Sequence, residues 1–359
     1  MRVPAQLETA VRAAVRGVLG DGVLATSALT KAIVDRSQRY TSDRARLSAP
    51  RDADGDLAAR AAFFTIADAM KIALPLAELV RRGALPARRL RVLDVGAGCG
   101  AMSLGLISAL GAELEITAID RDGRALDIAK RAIAAFAPTV TVTTRTADAT
   151  RADLPPADLV LMGTVLNELP PDAALALTQR AFAAIPDDGA LIVIEPALRE
   201  TSRGLHVIRD AMIAKHAHVF APCTRRCVPC TALIDPDDWC HEDRALDLPP
   251  ATHELARLTH LRDSGMKFAY LVLRKQPLDL VADPTAWRAV SAPFIEKGKR
   301  ELTGCSERGR VSLRLLKRNR NDTTRDFERA DRGDVIVVGD EPGENRLEIV
   351  QPLQVVRVD

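Results

Sequence analysis

The chain has 359 residues, of which 47% are hydrophobic and 27% charged, so it is long and apolar enough to bury a core and is not a disordered polyelectrolyte. Its formal net charge of +2 excludes a whole-chain field that would draw it to nucleic acid, so any basic surface must be local. No signal-like apolar segment and no run of eighteen apolar residues occurs, and the sequence reads as that of a cytoplasmic protein, neither secreted nor membrane-spanning.

Residues 1–85 read as a helical region. Ala10, Val11, Ala14, Val15, Val18 and Leu19 recur at helical spacing, and Gly20 and Gly22 end the pattern. A second helix is predicted over Ser27–Val34 and a third from Asp56 to Arg82, with Pro75 as a kink or break. The charged, Ser- and Pro-containing stretch from Tyr40 to Asp54 reads as a loop.

From residue 86 to 220 strands alternate with helices. Strands are predicted at Leu90–Val95, Leu114–Ile119, Val140–Thr146, Ala157–Met162 and Ala190–Ile194. Helices fall near Met102–Leu110, Asp122–Phe136, Ala173–Ile185 and 198–218. That alternation predicts an α/β fold with a parallel, Rossmann-like sheet. Residues 221–294 hold a cysteine-rich segment and a further strand at Phe268–Leu273. Residues 295–359 are predicted to form a small β module with strands at Val311–Leu316, Asp334–Val338 and Leu347–Val358.

The first chemical motif is Asp94-Val95-Gly96-Ala97-Gly98-Cys99-Gly100, directly after a strand and before a helix. Glycines there let the backbone turn tightly and present bare amides to a ligand. Asp120 ends the next strand, where a carboxylate accepts the hydroxyls of a ribose. The D-x-G-x-G-x-G pattern resembles motif I of class I S-adenosylmethionine (SAM)-dependent methyltransferases. That resemblance implies SAM bound by Asp94, Gly96, Gly98, Gly100 and Asp120, with Asp148 meeting the adenine amino group. Cys99 reads as a small apolar filler of the loop. After the fourth strand the chain reads Gly163-Thr164-Val165-Leu166-Asn167-Glu168-Leu169-Pro170, without the Asn/Asp-Pro-Pro-aromatic element of base-amino methylases. Asn167 and Glu168 are candidates to line an acceptor pocket, or else cap the following helix.

The second motif gathers four of the six cysteines within eighteen residues, Cys223, Cys227, Cys230 and Cys240, with His241 adjacent. Thiolates this dense suit zinc or an iron–sulfur cluster, and the uneven spacing is more typical of a cubane than of two zinc knuckles. A disulfide or metal-free buried cysteines are the competing readings. Residues 297–332 then carry twelve Arg and Lys against six Asp and Glu, a local net charge of +6. Taken alone this is a solvated charged face; Lys and Arg clusters also contact phosphates.

Together these segments resemble one family, the methyltransferase-like factors of small-ribosomal-subunit assembly known from mitochondria and with bacterial homologues. The resemblance rests on Ser37-Gln38-Arg39-Tyr40, Asp94 to Gly100, Val165 to Leu169, Ile194-Glu195-Pro196, Pro229-Cys230, Asp238-Trp239-Cys240-His241, Phe268 to Leu273, Cys305 with Gly309, and Arg332-Gly333-Asp334. It implies a [4Fe-4S] cluster on Cys223, Cys230, Cys240 and the distant Cys305, with Cys227 a departure that offers an alternative ligand. It also implies association with the small ribosomal subunit and its rRNA, and no DNA partner. The alternatives are an active SAM-dependent methyltransferase of a protein or small molecule with a structural zinc site, and a non-catalytic scaffold of the same fold.

Overall fold

The computed structural model describes residues 1–41, 50–111, 113–224 and 228–357. Most of the loop expected at Tyr40–Asp54, and Cys227, lie outside the described residues. The chain divides into two units, Met1–Ala73 with Ala87–Leu166 and Arg244–Met266, and Leu74–Pro86 with Asn167–Asp243 and Lys267–Asp359.

In the first unit, α1 (Ala5–Leu19) buries Leu7, Ala10, Val11, Ala14 and Val15, the stripe expected from its spacing. Its buried Glu8 accepts the Thr252 amide at 2.7 Å and hydroxyl at 2.6 Å, capping the first turn of the helix Pro250–Thr259. The second helix, α2 (Thr26–Thr41), runs farther than the apolar pattern indicated. Arg36 and Arg39 extend it by pairing with Asp56, which is 7% exposed on α3 (Ala53–Ala59). The predicted third helix is broken into α3, a π segment Arg60–Thr65, α4 (Ile66–Asp68) and a 3-10 turn Ala69–Ile72, and the chain passes into the second unit along α5 (Ala73–Arg81). Pro75 lies in the first turn of α5, and the 3-10 turn just before it spares the clash its ring would make with the Lys71 carbonyl four residues back.

Four parallel strands follow: β1 (Leu90–Val95), β2 (Leu114–Asp120), β3 (Thr141–Thr146) and β4 (Leu159–Gly163), in the order β3-β2-β1-β4. The register sets Leu90 opposite Leu114 and Val92 opposite Leu159. Connecting helices α6 (Ala101–Leu110) and α7 (Gly123–Phe136) make the parallel crossovers of a Rossmann-like sheet. Helix α6 lies against the 3-10 turn at Gly105, where a Cβ would sit 1.9 Å from the Ala69 carbonyl oxygen.

The second unit holds α8 (Pro171–Ala184), β5 (Ala190–Pro196), α9 (Arg199–Ile213), β6 (His218–Ala221), β7 (Glu242–Arg244) and β8 (Met266–Arg274). Strand β8 lies antiparallel between β5 and β6. The helix expected over 198–218 stops at Ile213, and a strand begins at His218. His218, Val219, Phe220 and Ala221 are all buried there, a run too apolar for a helix with one wet face.

The C-terminal β module is present and starts before residue 295. Its strands are β9 (Ala286–Ala289), β10 (Phe294–Glu296), β11 (Lys299–Ser306), β12 (Gly309–Leu316), β13 (Val335–Val338), β14 (Arg346–Glu348) and β15 (Leu353–Val356). They run β14-β12-β11-β9-β13-β15, with β10 added against β11. Trp287, Leu302, Leu313, Leu315, Phe327 and Ile336 fill the core. Strand β11 was hidden in the basic stretch because only every second residue faces that core.

Candidate functional site

The glycine loop is built on three left-handed residues, Gly96, Gly98 and Gly100, with φ of 71°, 51° and 86°. The Gly96 and Ala97 amides both donate to the Ile119 carbonyl, at 2.8 and 3.0 Å, and so lock the loop to β2. A Cβ on Gly96 would come within 2.6 Å of the Val165 side chain.

Asp94 is 1% exposed, and its Oδ2 accepts the Ser103 hydroxyl at 2.6 Å. Its Oδ1 is buried with no hydrogen-bond partner among the described residues. An orphaned carboxylate oxygen is expensive unless a cationic ligand group reaches it, which fits the ammonium of SAM's methionine part. Burial, with Asp120 adding repulsion, pushes the Asp94 carboxyl up to about 6.

Asp120 is held rather than free. Its Oδ2 accepts the Gly98 amide and its Oδ1 the Asp122 amide, both at 2.8 Å, so it fixes the loop while keeping further lone pairs for a ribose. Asp122 caps α7 by accepting the Arg124 and Ala125 amides and pairs with Arg60 at 2.7 Å. Arg60 opens the π segment, and its guanidinium lies 3.5 Å from where a Gly98 Cβ would be. Asp148 follows β3 as expected; it is exposed and closes its own turn by accepting the Thr150 amide at 2.9 Å and hydroxyl at 2.7 Å. Asn167 and Glu168 lie in a 3-10 turn, Leu166–Glu168. The Asn167 amide donates to Glu195 at 3.3 Å, and Glu168 is exposed.

In the second unit, Cys223, Cys230, Cys240 and Cys305 line one cavity, together with His206, Arg209 and Arg310. Cys305 reaches it from β11, paired across to Arg288 on β9 and Arg310 on β12. Thr224 and Thr231 tie the cysteine loop to this strand, the first donating to the Cys305 carbonyl at 3.0 Å and the second 3.6 Å from its sulfur. Among the described residues no three Cys, His, Asp or Glu side chains converge as ligands of a single ion would, while the four cysteines share the lining of one cavity.

Burial and the neighbouring Cys223 push the Cys230 thiol up to about 11, and Cys240 is raised well above the usual thiol value for the same reasons. Thiols this reluctant to ionise together become thiolates when a metal replaces their protons. Two guanidiniums are placed to offset that charge. Arg209 hydrogen-bonds the Cys223 sulfur, and Arg310, paired with Asp238, flanks Cys230. The donor set and its cations fit an iron–sulfur cluster.

Beneath the cavity a charged network is closed to water. Arg288 donates to Glu78 at 2.6 Å, to the Tyr270 hydroxyl at 2.8 Å and to Glu242 at 3.2 Å, and Tyr270 donates to Glu78 at 2.7 Å. None of these four residues is more than 5% exposed. The network was not legible in the sequence, because its members are far apart and lack a motif. The same holds for Ser103, Arg60, His206, Arg209 and Asp210.

The basic stretch is divided between the interior and the surface. Arg300 donates to the Phe327 and Ala330 carbonyls, Arg332 to those of His241 and Val290, and Arg314 pairs with Glu301. Lys297, Arg308, Lys317, Arg318, Arg320, Arg325 and Arg329 are exposed, Arg308 pairing with Glu341 and Arg320 with Glu328, and Phe294, 55% exposed, stands beside Lys297 in sequence.

Several solved structures are similar to this chain. TehB from Haemophilus influenzae is 13% identical with a TM-score of 0.36, over 57% of this chain and 62% of TehB, less than two thirds of its length. Magnesium protoporphyrin IX methyltransferase from Synechocystis PCC 6803, solved with bound SAM, is 12% identical with a TM-score of 0.36, over 68% of this chain and 97% of its own. A SAM-dependent methyltransferase from Aquifex aeolicus is 17% identical with a TM-score of 0.35, over 45% and 89%. No curated protein matches the sequence. Residues 84–336, well over half of the chain, match the family described as mitochondrial small ribosomal subunit Rsm22, and the chain belongs to that family.

Proposed function

We propose that this protein is a small-ribosomal-subunit assembly factor that binds rRNA, holds SAM on its glycine loop and carries a [4Fe-4S] cluster on Cys223, Cys230, Cys240 and Cys305. The observation that carries the reading is the meeting of those four thiols at one cavity, although Cys305 lies on a separate β-strand. Four thiols spread over the lining of one cavity suit a cluster whose ligands meet different irons, whereas a structural zinc asks for four ligands about one point. The cluster would supply a covalent brace between the cysteine loop and the β module that carries the exposed basic residues.

The orphaned Asp94 oxygen supports retained cofactor binding over a scaffold that has lost it. Methyl transfer is the activity such a cofactor implies, with Asn167 and Glu168 as the residues proposed to line the acceptor pocket. A cytoplasmic location is proposed; no described helix is long and apolar enough to cross a membrane.

Anaerobic purification with iron, zinc and acid-labile sulfide analysis tests the cluster. About four irons and four sulfides per chain are expected; one zinc and no sulfide would replace the cluster by a zinc knot and reopen the alternative of a methyltransferase acting on a protein or small molecule. Co-sedimentation with small subunits across a salt series tests the partner. Titration with SAM separates a cofactor-binding factor from a bare scaffold.

A further inference from the structure

One face of α9 is devoted to the cysteine loop. Arg203, His206 and Asp210 recur at i, i+3 and i+7, which aligns them in one row along the helix. Arg203 donates to the carbonyls of Ala232, Asp235 and Asp238 at 2.8, 2.7 and 2.8 Å, and to that of Leu233 at 3.3 Å. His206 Nε2 accepts the Cys240 amide at 3.0 Å. Asp210 Oδ2 accepts the Cys230 amide at 2.8 Å. Three side chains of one helix thus fix the path of the loop and the backbone of two of its cysteines.

We infer that this row is a template that holds Cys230 and Cys240 in their ligating arrangement before the cluster arrives, with His206 and Asp210 as positioning residues. The inference rests on the cluster reading above. A rigid helix is a better template than the loop itself, because a ligand preorganised by hydrogen bonds loses less freedom when the metal binds. The row has a second effect. Amides committed to His206 and Asp210 are withheld from the sulfurs, and N–H···S bonds are among the factors that set the potential of such a cluster. Removing an acceptor frees an amide to turn toward sulfur and moves the reduction potential in the positive direction.

The test compares wild type, His206→Gln and His206→Leu, purified anaerobically and reconstituted with iron and sulfide. The Gln amide oxygen can still accept the Cys240 amide and Leu cannot, while both fill similar space. The expected result is wild-type loading and potential for His206→Gln. His206→Leu should lose at least half of the iron and sulfide, or hold a cluster of more positive potential. Equal loading and equal potential in all three overturns the template while leaving the cluster intact. A wild type without iron and sulfide overturns the cluster reading and the inference with it. Hydrogen exchange on metal-free wild type provides a measurement independent of the variants. Protection of the Cys230 and Cys240 amides by tenfold or more is expected, and exchange at the unprotected rate overturns the inference.

Discussion

Ser103 donates its hydroxyl to one oxygen of Asp94 at 2.6 Å and leaves the other oxygen buried without a partner among the described residues. The carboxylate is therefore held in place but unsatisfied, a state that folding alone does not favour and a cationic ligand relieves. With its carboxyl raised to about 6, the folded protein holds this proton more tightly than the unfolded chain does. The associated stability is full below about pH 4 and is lost as pH rises through 6, about 3 kcal/mol in total. Asp94→Asn keeps the shape and the Ser103 contact and removes the charge. Denaturant titrations at pH 5 and 7.5 should show the variant more stable than wild type at the higher pH, with the gap narrowing at the lower. The same substitution should weaken SAM binding at least tenfold by calorimetry. A variant that is both less stable at pH 7.5 and unimpaired in SAM binding would remove Asp94 from the site.

Gly105 tests the packing that supports the loop's helix. An alanine there meets the Ala69 carbonyl at 1.9 Å, whereas Gly22 has nothing within 4 Å of its missing Cβ. Gly105→Ala should cost about 1–3 kcal/mol, and Gly22→Ala should stay within about 0.5 kcal/mol of wild type in denaturant unfolding.

Cys240→Ser and Cys305→Ser should each lose most of the bound iron and sulfide, since both thiols line the cavity. Cys227→Ser should keep them, because the family pattern leaves Cys227 outside the ligand set. If Cys227→Ser loses the cluster while Cys223→Ser keeps it, the ligand set changes by that one exchange.

Arg288 bonds both members of the buried pair Glu78 and Glu242. Arg288→Met leaves both carboxylates without that partner and should destabilise the protein by about 3–5 kcal/mol. Glu78 shows which way the charge is poised: burial raises its pKa, and Arg288 works against that rise. Thermal unfolding of Arg288→Met alongside Glu78→Gln measures the effect; equal stability in both variants and wild type would show the network to be energetically idle.

For RNA, the exposed and the internal basic residues should separate. The Lys317 amide bonds the Gly298 carbonyl at 2.8 Å, which sets Lys317 and Arg318 next to the turn that carries Lys297. Replacing Lys297, Lys317 and Arg318 by Ala should lower the slope of log affinity against log salt by about 0.7–0.9 for each phosphate that is no longer neutralised. An unchanged slope would move the RNA surface elsewhere. Arg300→Ala should act on stability instead, because Arg300 serves the Phe327 and Ala330 carbonyls.

The sequence by itself determined the elements and motifs whose signals are local. The alternation of β1 to β4 with α6 and α7, the left-handed glycines and the terminal position of Asp120 on β2 follow from periodicity and from backbone freedom at single residues. The cysteine clustering is legible for the same reason, and the soft-ligand site it suggests belongs to the proposal. Only the tertiary structure decided that Cys305 shares a cavity with Cys223, Cys230 and Cys240, which the sequence supported by family resemblance alone. It also decided that α9 presents Arg203, His206 and Asp210 to the cysteine loop and that Arg300 and Arg332 serve the interior. A hydrogen bond between side chain and distant backbone leaves no periodic trace. A basic residue looks the same in a sequence whether it faces solvent or a carbonyl, and the difference arises only when packing removes the water.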